Sequence, residues 1–178
     1  MDKYKFQLMN YKVFNRNVKA GGAVFFGCDS LSTIPVCEIM QGMNLGINTY
    51  NRSIKGPTIE NACNVVNECI YQLSPSKLFV NIGENDIDNE AFDIEDFIEK
   101  YEWFLYNVHR NCQCSIYIMS IRGKGDEIIN SRLRELASNC GCEFFEINDE
   151  DLSLNFIRKT KCFLRGGTIT FSDAMAAL

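Results

Sequence analysis

The sequence predicts an α/β protein, a three-layer α/β/α sandwich around a parallel sheet of about five strands. Strand-like and helix-like segments alternate along the chain, and the strand-like runs are continuously apolar instead of switching between apolar and polar. That second pattern belongs to strands buried on both faces, which is what helices on either side of a parallel sheet impose. Size agrees, because 178 residues with 46% hydrophobic content can bury one core and are too few for two. Residues 1–178 are therefore expected to form a single domain, with residues 1–20 as a polar, helical N-terminal arm.

The elements follow in order. Ala23 to Phe26 is a short apolar run, Pro35 to Met43 is helix-like, and Ile47 to Asn51 is a second short run. Thr58 to Leu73 has helical spacing in Ile59, Ala62, Cys63, Val66, Cys69, Ile70 and Leu73, and stops before Ser74-Pro75. Lys77 to Ile82 reads as a buried strand, about Ile94 to Val108 as an amphipathic helix, and Ser115 to Ile121 as a strand. Asp126 to Ser138 reads as a helix, Glu143 to Ile147 as a strand and Ser172 to Leu178 as a short last helix. No linker, repeat or low-complexity segment interrupts this order.

Composition excludes several function classes. The net charge of −5, with Lys and Arg dispersed, leaves no basic stripe for a phosphate backbone, so no nucleic acid is expected as a partner. No apolar run approaches the length of a membrane span and the N-terminus has no signal-peptide core, so no membrane partner and a cytoplasmic location are expected. Nine cysteines, an odd number, suit a reducing compartment with free, mostly buried thiols. The pairs Cys112/Cys114 and Cys140/Cys142 each open a strand-like run and could together form a four-thiolate zinc site. Zinc ligands usually come as CxxC and not CxC, so packing is the expected role, with no metal and no cofactor.

In an open parallel sheet, sites form where the carboxyl ends of strands lead into helices. Three such loops, Gly27 to Thr33, Asn51 to Thr58 and Gly83 to Asp88, are each rich in Gly, Asn, Ser and Asp. Their segments FFGCDSLS, NRSIKGPT and VNIGENDI resemble, in order and spacing, the first three sequence blocks of the SGNH or GDSL hydrolase superfamily, whose fold is a flavodoxin-like α/β/α sandwich. The resemblance spans nearly the whole chain, and its third block is the most specific, with Gly83, Asn85 and Asp86 in register after a buried strand. It implies that Gly56, through its backbone N–H, and Asn85, through its side-chain amide, form an oxyanion hole. Such donors suit ester cleavage, which builds negative charge on a carbonyl oxygen.

The departures from the family pattern matter as much. Counted from Gly27 without a gap, the nucleophile position falls on Asp29, a register that Pro35 supports; counted from the words Asp-Ser-Leu, it falls on Ser30, with Cys28 in place of the glycine. Both registers stand at this point. The family closes with an Asp-x-x-His motif that supplies the general base, and the matching stretch FLRGGTITFSDAM has Gly166 and Ile169 at those positions. A serine without an adjacent base is an ordinary alcohol. The single histidine, His109, is expected at the end of a helix on the amino edge of the sheet, away from the three loops. Asp86 and Asp173 are nearer in sequence, but an exposed carboxylate is a weak base for an alcohol.

Three function classes follow. One is a pseudoenzyme or very slow esterase that keeps an oxyanion-type pocket and binds a small ester or a carboxylate-bearing molecule. The second is an active carboxylic ester hydrolase on acetyl or short acyl esters with Ser30 as nucleophile. The third, a flavodoxin-like nucleotide or phosphate binder, lacks a glycine-rich phosphate loop after the first strand.

Overall fold

The computed structural model describes residues 4–44, 46–123, 125–147 and 164. Its elements run α1 (Lys5–Asn15), β1 (Ala23–Gly27), α2 (Asp29–Thr33), α3 (Val36–Gly42), β2 (Thr49–Asn51), α4 (Ile59–Cys69), β3 (Lys77–Asn81), α5 (Glu84–Ile87), α6 (Ile94–Asn111), β4 (Ser115–Met119), α7 (Asp126–Asn139) and β5 (Glu143–Phe145). A single 3-10 turn, Tyr71–Leu73, follows α4. The five strands form one sheet in the order β2-β1-β3-β4-β5, every pair parallel.

Alternate strand residues enter two cores, as the period of two requires. Val24, Phe26, Leu78, Val80, Ile116 and Ile118 face the apolar sides of α4, α6 and α7. Phe25, Phe79, Tyr117 and Phe145 face the other way, toward Leu31, Val36 and Met40 of α2 and α3. On that side Phe79 stacks between Phe25 and Tyr117, with centroids 4.4 and 4.7 Å away, and meets Phe145 edge-on. Helices on both faces of a five-stranded parallel sheet are what the continuous apolar runs predict.

Two predicted loops contain helix. Gly27 to Thr33 holds α2 and Gly83 to Asp88 holds α5, each too short for a 3.6-residue period to show. The strands expected over Ser115 to Ile121 and Glu143 to Ile147 end sooner, at Met119 and Phe145. Their last residues bond to other groups: the Ile121 N–H to the Asn130 side chain, and the Ile147 N–H to the Ser120 hydroxyl. The helix expected over Ser172 to Leu178, and the positions Gly166, Ile169 and Asp173, lie outside the described residues.

Candidate active site

The chain reverses direction across the sheet between β1 and β3, which are neighbours although β2 comes between them in sequence. This switch point opens a crevice at the carboxyl ends of those strands, the usual ligand position in such sheets. Gly27 and Asn81, the last residues of the two strands, are paired in register. The ladder continues past them, with the Cys28 N–H donating to the Asn81 carbonyl at 2.9 Å. On the other side of β1, the N–H groups of Arg52 and Ile54 donate to the carbonyls of Phe25 and Gly27, carrying the 52–56 segment along β1 to the same edge.

Three residues from three loops meet there. One carboxylate oxygen of Asp29, Oδ2, accepts the Gly56 N–H at 2.8 Å and the Asn85 Nδ2 at 3.0 Å. Gly56 has φ +74, a left-handed backbone that a glycine adopts without steric cost, and this turns its N–H toward α2. Gly83 has φ +140 and starts the turn that presents Asn85; a Cβ there would run into Ile121 and Phe97. The Asn85 amide lies also 3.4 Å from the Pro57 carbonyl, which holds the side chain in place. The α2 backbone adds one more donor, since the Ser30 N–H reaches Glu84 Oε2 at 3.1 Å. Each of these donors faces a carboxylate of the same chain.

The structure therefore brings Asp29, Gly56 and Asn85 together, while the Ser30 backbone N–H is bonded to Glu84. Ser30 lines a narrow cleft on the β4 side with Asn81, Glu84, Met119 and Ser120, with about 10 Å³ of free space, about one water's worth. Gly56 and Asn85 are not among the residues lining it. Cys28, which stands at the glycine position of the Ser30 register, is fully buried with its thiol donating to the Pro57 carbonyl. Burial pushes that thiol up to about 12, so it stays protonated.

Asp86 has a different task. Both of its carboxylate oxygens lie 3.1 Å from the Ile59 N–H, the first orphan donor of α4, so it ties the third loop to the helix after the second. Burial raises its carboxyl from 3.8 to about 6. Glu84 is the residue that sequence reasoning missed. Nothing in GENDI distinguishes it, and only the position of α5 beside α2 shows that its carboxylate meets the Ser30 backbone.

His109 is exposed in the last turn of α6, with Nε2 3.6 Å from Cys142 Sγ just ahead of β5. This is the amino edge of the sheet, opposite the crevice. The eight described cysteines are free thiols, and among the described residues no group of His, Cys, Asp and Glu has the arrangement to hold a metal ion. No described helix is long and apolar enough to cross a membrane.

No protein-family model matches the chain, and no curated protein matches it by sequence. Solved structures do. A candidate platelet activating factor from Streptococcus pneumonia superposes with a TM-score of 0.71 at 20% identity, over 85% of this chain and 80% of that one. A GDSL-like lipase from Bacteroides thetaiotaomicron gives 0.66 at 15% identity, over 80% of this chain and 81% of the other. The acetylxylan esterase Axe2 from Geobacillus stearothermophilus gives 0.65 at 11% identity, over 87% and 99%. At these identities the likeness is one of fold.

Proposed function

We propose that this chain, with the fold of the GDSL-like lipases and acetylxylan esterases, is a pseudoenzyme whose oxyanion-type pocket is filled by its own Asp29. The observation that carries this reading is the pair of bonds into Asp29 Oδ2. In an esterase those donors would face the oxygen on which charge develops in the transition state. Here they already hold a carboxylate, so an entering acyl group meets an occupied hole and an acidic side chain in place of an activated hydroxyl.

The missing base points the same way. By the family resemblance its positions are Gly166 and Ile169, and the one histidine is on the far edge of the sheet. A bound ligand would be a small ester or a carboxylate-bearing molecule that displaces the Asp29 side chain. Free thiols throughout the described residues suit a reducing, cytoplasmic setting.

A second reading, an active hydrolase of short acyl esters using Ser30, draws support from the cleft that Ser30 shares with the Glu84 carboxylate. One experiment separates the two. p-Nitrophenyl acetate is the substrate, because some structural neighbours are described as acetylxylan esterases. The pseudoenzyme should hydrolyse it barely above background, resist fluorophosphonate labelling and be unchanged by Ser30→Ala. Oxyanion stabilisation and binding alone leave at most roughly 10³–10⁴ over water. Turnover at ordinary enzyme rates that Ser30→Ala abolishes would refute the proposal. In the converse direction, a variant carrying Asp29→Ser together with Gly166→Asp and Ile169→His should exceed Asp29→Ser alone.

A further inference from the structure

Helix α1 presents three distinct faces. The inner one is fastened to the body of the protein. The Tyr4 hydroxyl donates to the Gly56 carbonyl at 2.9 Å, the Tyr11 hydroxyl to the Ser53 carbonyl at 2.6 Å, and Asn15 Nδ2 to the Glu68 carbonyl at 2.7 Å. Arg52 secures the same face, lying over the Tyr11 ring and donating to Asn15 Oδ1.

The outward face is apolar. Phe6, Met9, Val13 and Phe14 are spaced to form one helical stripe and are 70%, 54%, 50% and 56% exposed. They are four of the seven large hydrophobic residues so exposed among the described residues. The third face, at the waist between the other two, carries the exposed cations Lys5 and Lys12, with exposed Arg16 at the C-cap and exposed Lys19 in the segment just beyond. Lys12 is paired with Glu68 at 3.2 Å.

Charge is segregated to match. No acidic residue stands between Asp2 and Asp29. Residues 1–22 hold five basic residues and one acid, against thirteen basic residues and twenty-two acids in the rest of the chain. A protein that is acidic overall has thus gathered cations beside the longest exposed apolar stripe among its described residues.

We propose that α1 docks on the surface of an anionic phospholipid bilayer. The helix lies flat, with Phe6, Met9, Val13 and Phe14 at the boundary between headgroups and acyl chains, and Lys5, Arg16 and Lys19 against the headgroup charges. A fluid apolar phase fits this stripe better than an acidic protein does, because the stripe is the convex outer side of a helix and its long side chains can settle into lipid without a matching groove. The sequence-based expectation of no membrane partner rested on the absence of a spanning segment, and a helix lying in the interface needs none. Tyr4 holds the carbonyl of Gly56, whose N–H faces Asp29, so the inner face of α1, behind the docked stripe, adjoins the crevice.

The test is co-sedimentation of the full chain with vesicles of phosphatidylcholine alone and of phosphatidylcholine with phosphatidylserine. Binding should require phosphatidylserine and fall as salt rises. Phe6→Ser with Phe14→Ser should abolish it, and each of Lys5→Glu, Arg16→Glu and Lys19→Glu should weaken it by about fivefold or more. Thermal melts matching the parent would show that these outward-facing substitutions leave the fold intact. Failure of the parent protein to bind phosphatidylserine vesicles overturns the proposal, as does binding that survives both sets of substitutions. A concentration-dependent dimer lost in Phe6→Ser with Phe14→Ser, without vesicle binding, would assign the stripe to a second copy instead. None of these outcomes depends on whether the crevice hydrolyses esters.

Discussion

Asp29 holds two donors with one oxygen, and hydrogen bonds to a charged group contribute about 1.5–3 kcal/mol each when shielded from water. The site is half-buried, so water can replace part of what a truncation removes. Asp29→Ala should therefore lower stability to urea by about 1–2 kcal/mol, and Asp29→Asn, which keeps an acceptor oxygen, by less. Formate, a carboxylate small enough for the vacated space, should restore part of the loss in Asp29→Ala and leave the parent unchanged. A formate effect equal in both proteins would mean that the two donors do not form an anion site. Cys28 makes a second prediction at this scale. With its thiol held protonated by burial, iodoacetamide at about pH 8 should alkylate the exposed Cys37 and spare Cys28, as peptide mass mapping would show. Rapid modification of Cys28 in the folded protein would contradict the burial described above.

The start of α4 shows how an element and the crevice are joined. Thr58 caps it by accepting the Asn61 N–H, and Asp86 accepts the Ile59 N–H from across the crevice. Desolvation raises the Asp86 carboxyl to about 6, against which the Ile59 bond acts only in part. A folded-state value above the unfolded one favours the protonated form on folding. Its contribution to stability is therefore complete below the ordinary value of 3.8 and is lost as pH rises through about 6. Asp86→Asn is neutral throughout and still offers an oxygen to Ile59, so its stability should vary less with pH across that window. Urea midpoints measured at several pH values would decide it; parallel profiles for the two proteins would exclude Asp86 as the titrating group.

Across the whole molecule, what an aromatic ring contributes to stability depends on where it packs. Phe79 is fully buried in the central strand and touches Phe25, Tyr117 and Phe145, which come from three other strands. Removing that ring leaves a cavity that neighbours on three other strands cannot close, so Phe79→Ala should cost about 3–5 kcal/mol. Phe14→Ala, on the exposed stripe of α1, should stay within about 0.5 kcal/mol of the parent, because its ring is more than half exposed among the described residues. Urea unfolding of the two variants side by side tests this. A large loss for Phe14→Ala would mean that the stripe is covered in the free protein.

Local pattern alone determined the alternation of strands and helices, the five parallel strands and the three loops worth watching. Those signals survive in one dimension because double-sided burial makes a strand apolar throughout and a helix repeats every 3.6 residues. The single-turn helices α2 and α5 left no such trace, being shorter than one period can reveal. Tertiary structure decided which residues meet. The order β2-β1-β3-β4-β5 sets the loops after β1 and β3 side by side at the switch point and carries Gly56 to the same edge, so donors 27 and 56 positions from Asp29 converge on its carboxylate. Spacing could not choose between Asp29 and Ser30, because a shift of one residue changes no pattern but redirects the side chain as the backbone leaves β1. Similarly, the apolar and basic residues of α1 are plain in the sequence, but only the bonds from Tyr4, Tyr11 and Asn15 show which face is turned inward and which is left for a partner.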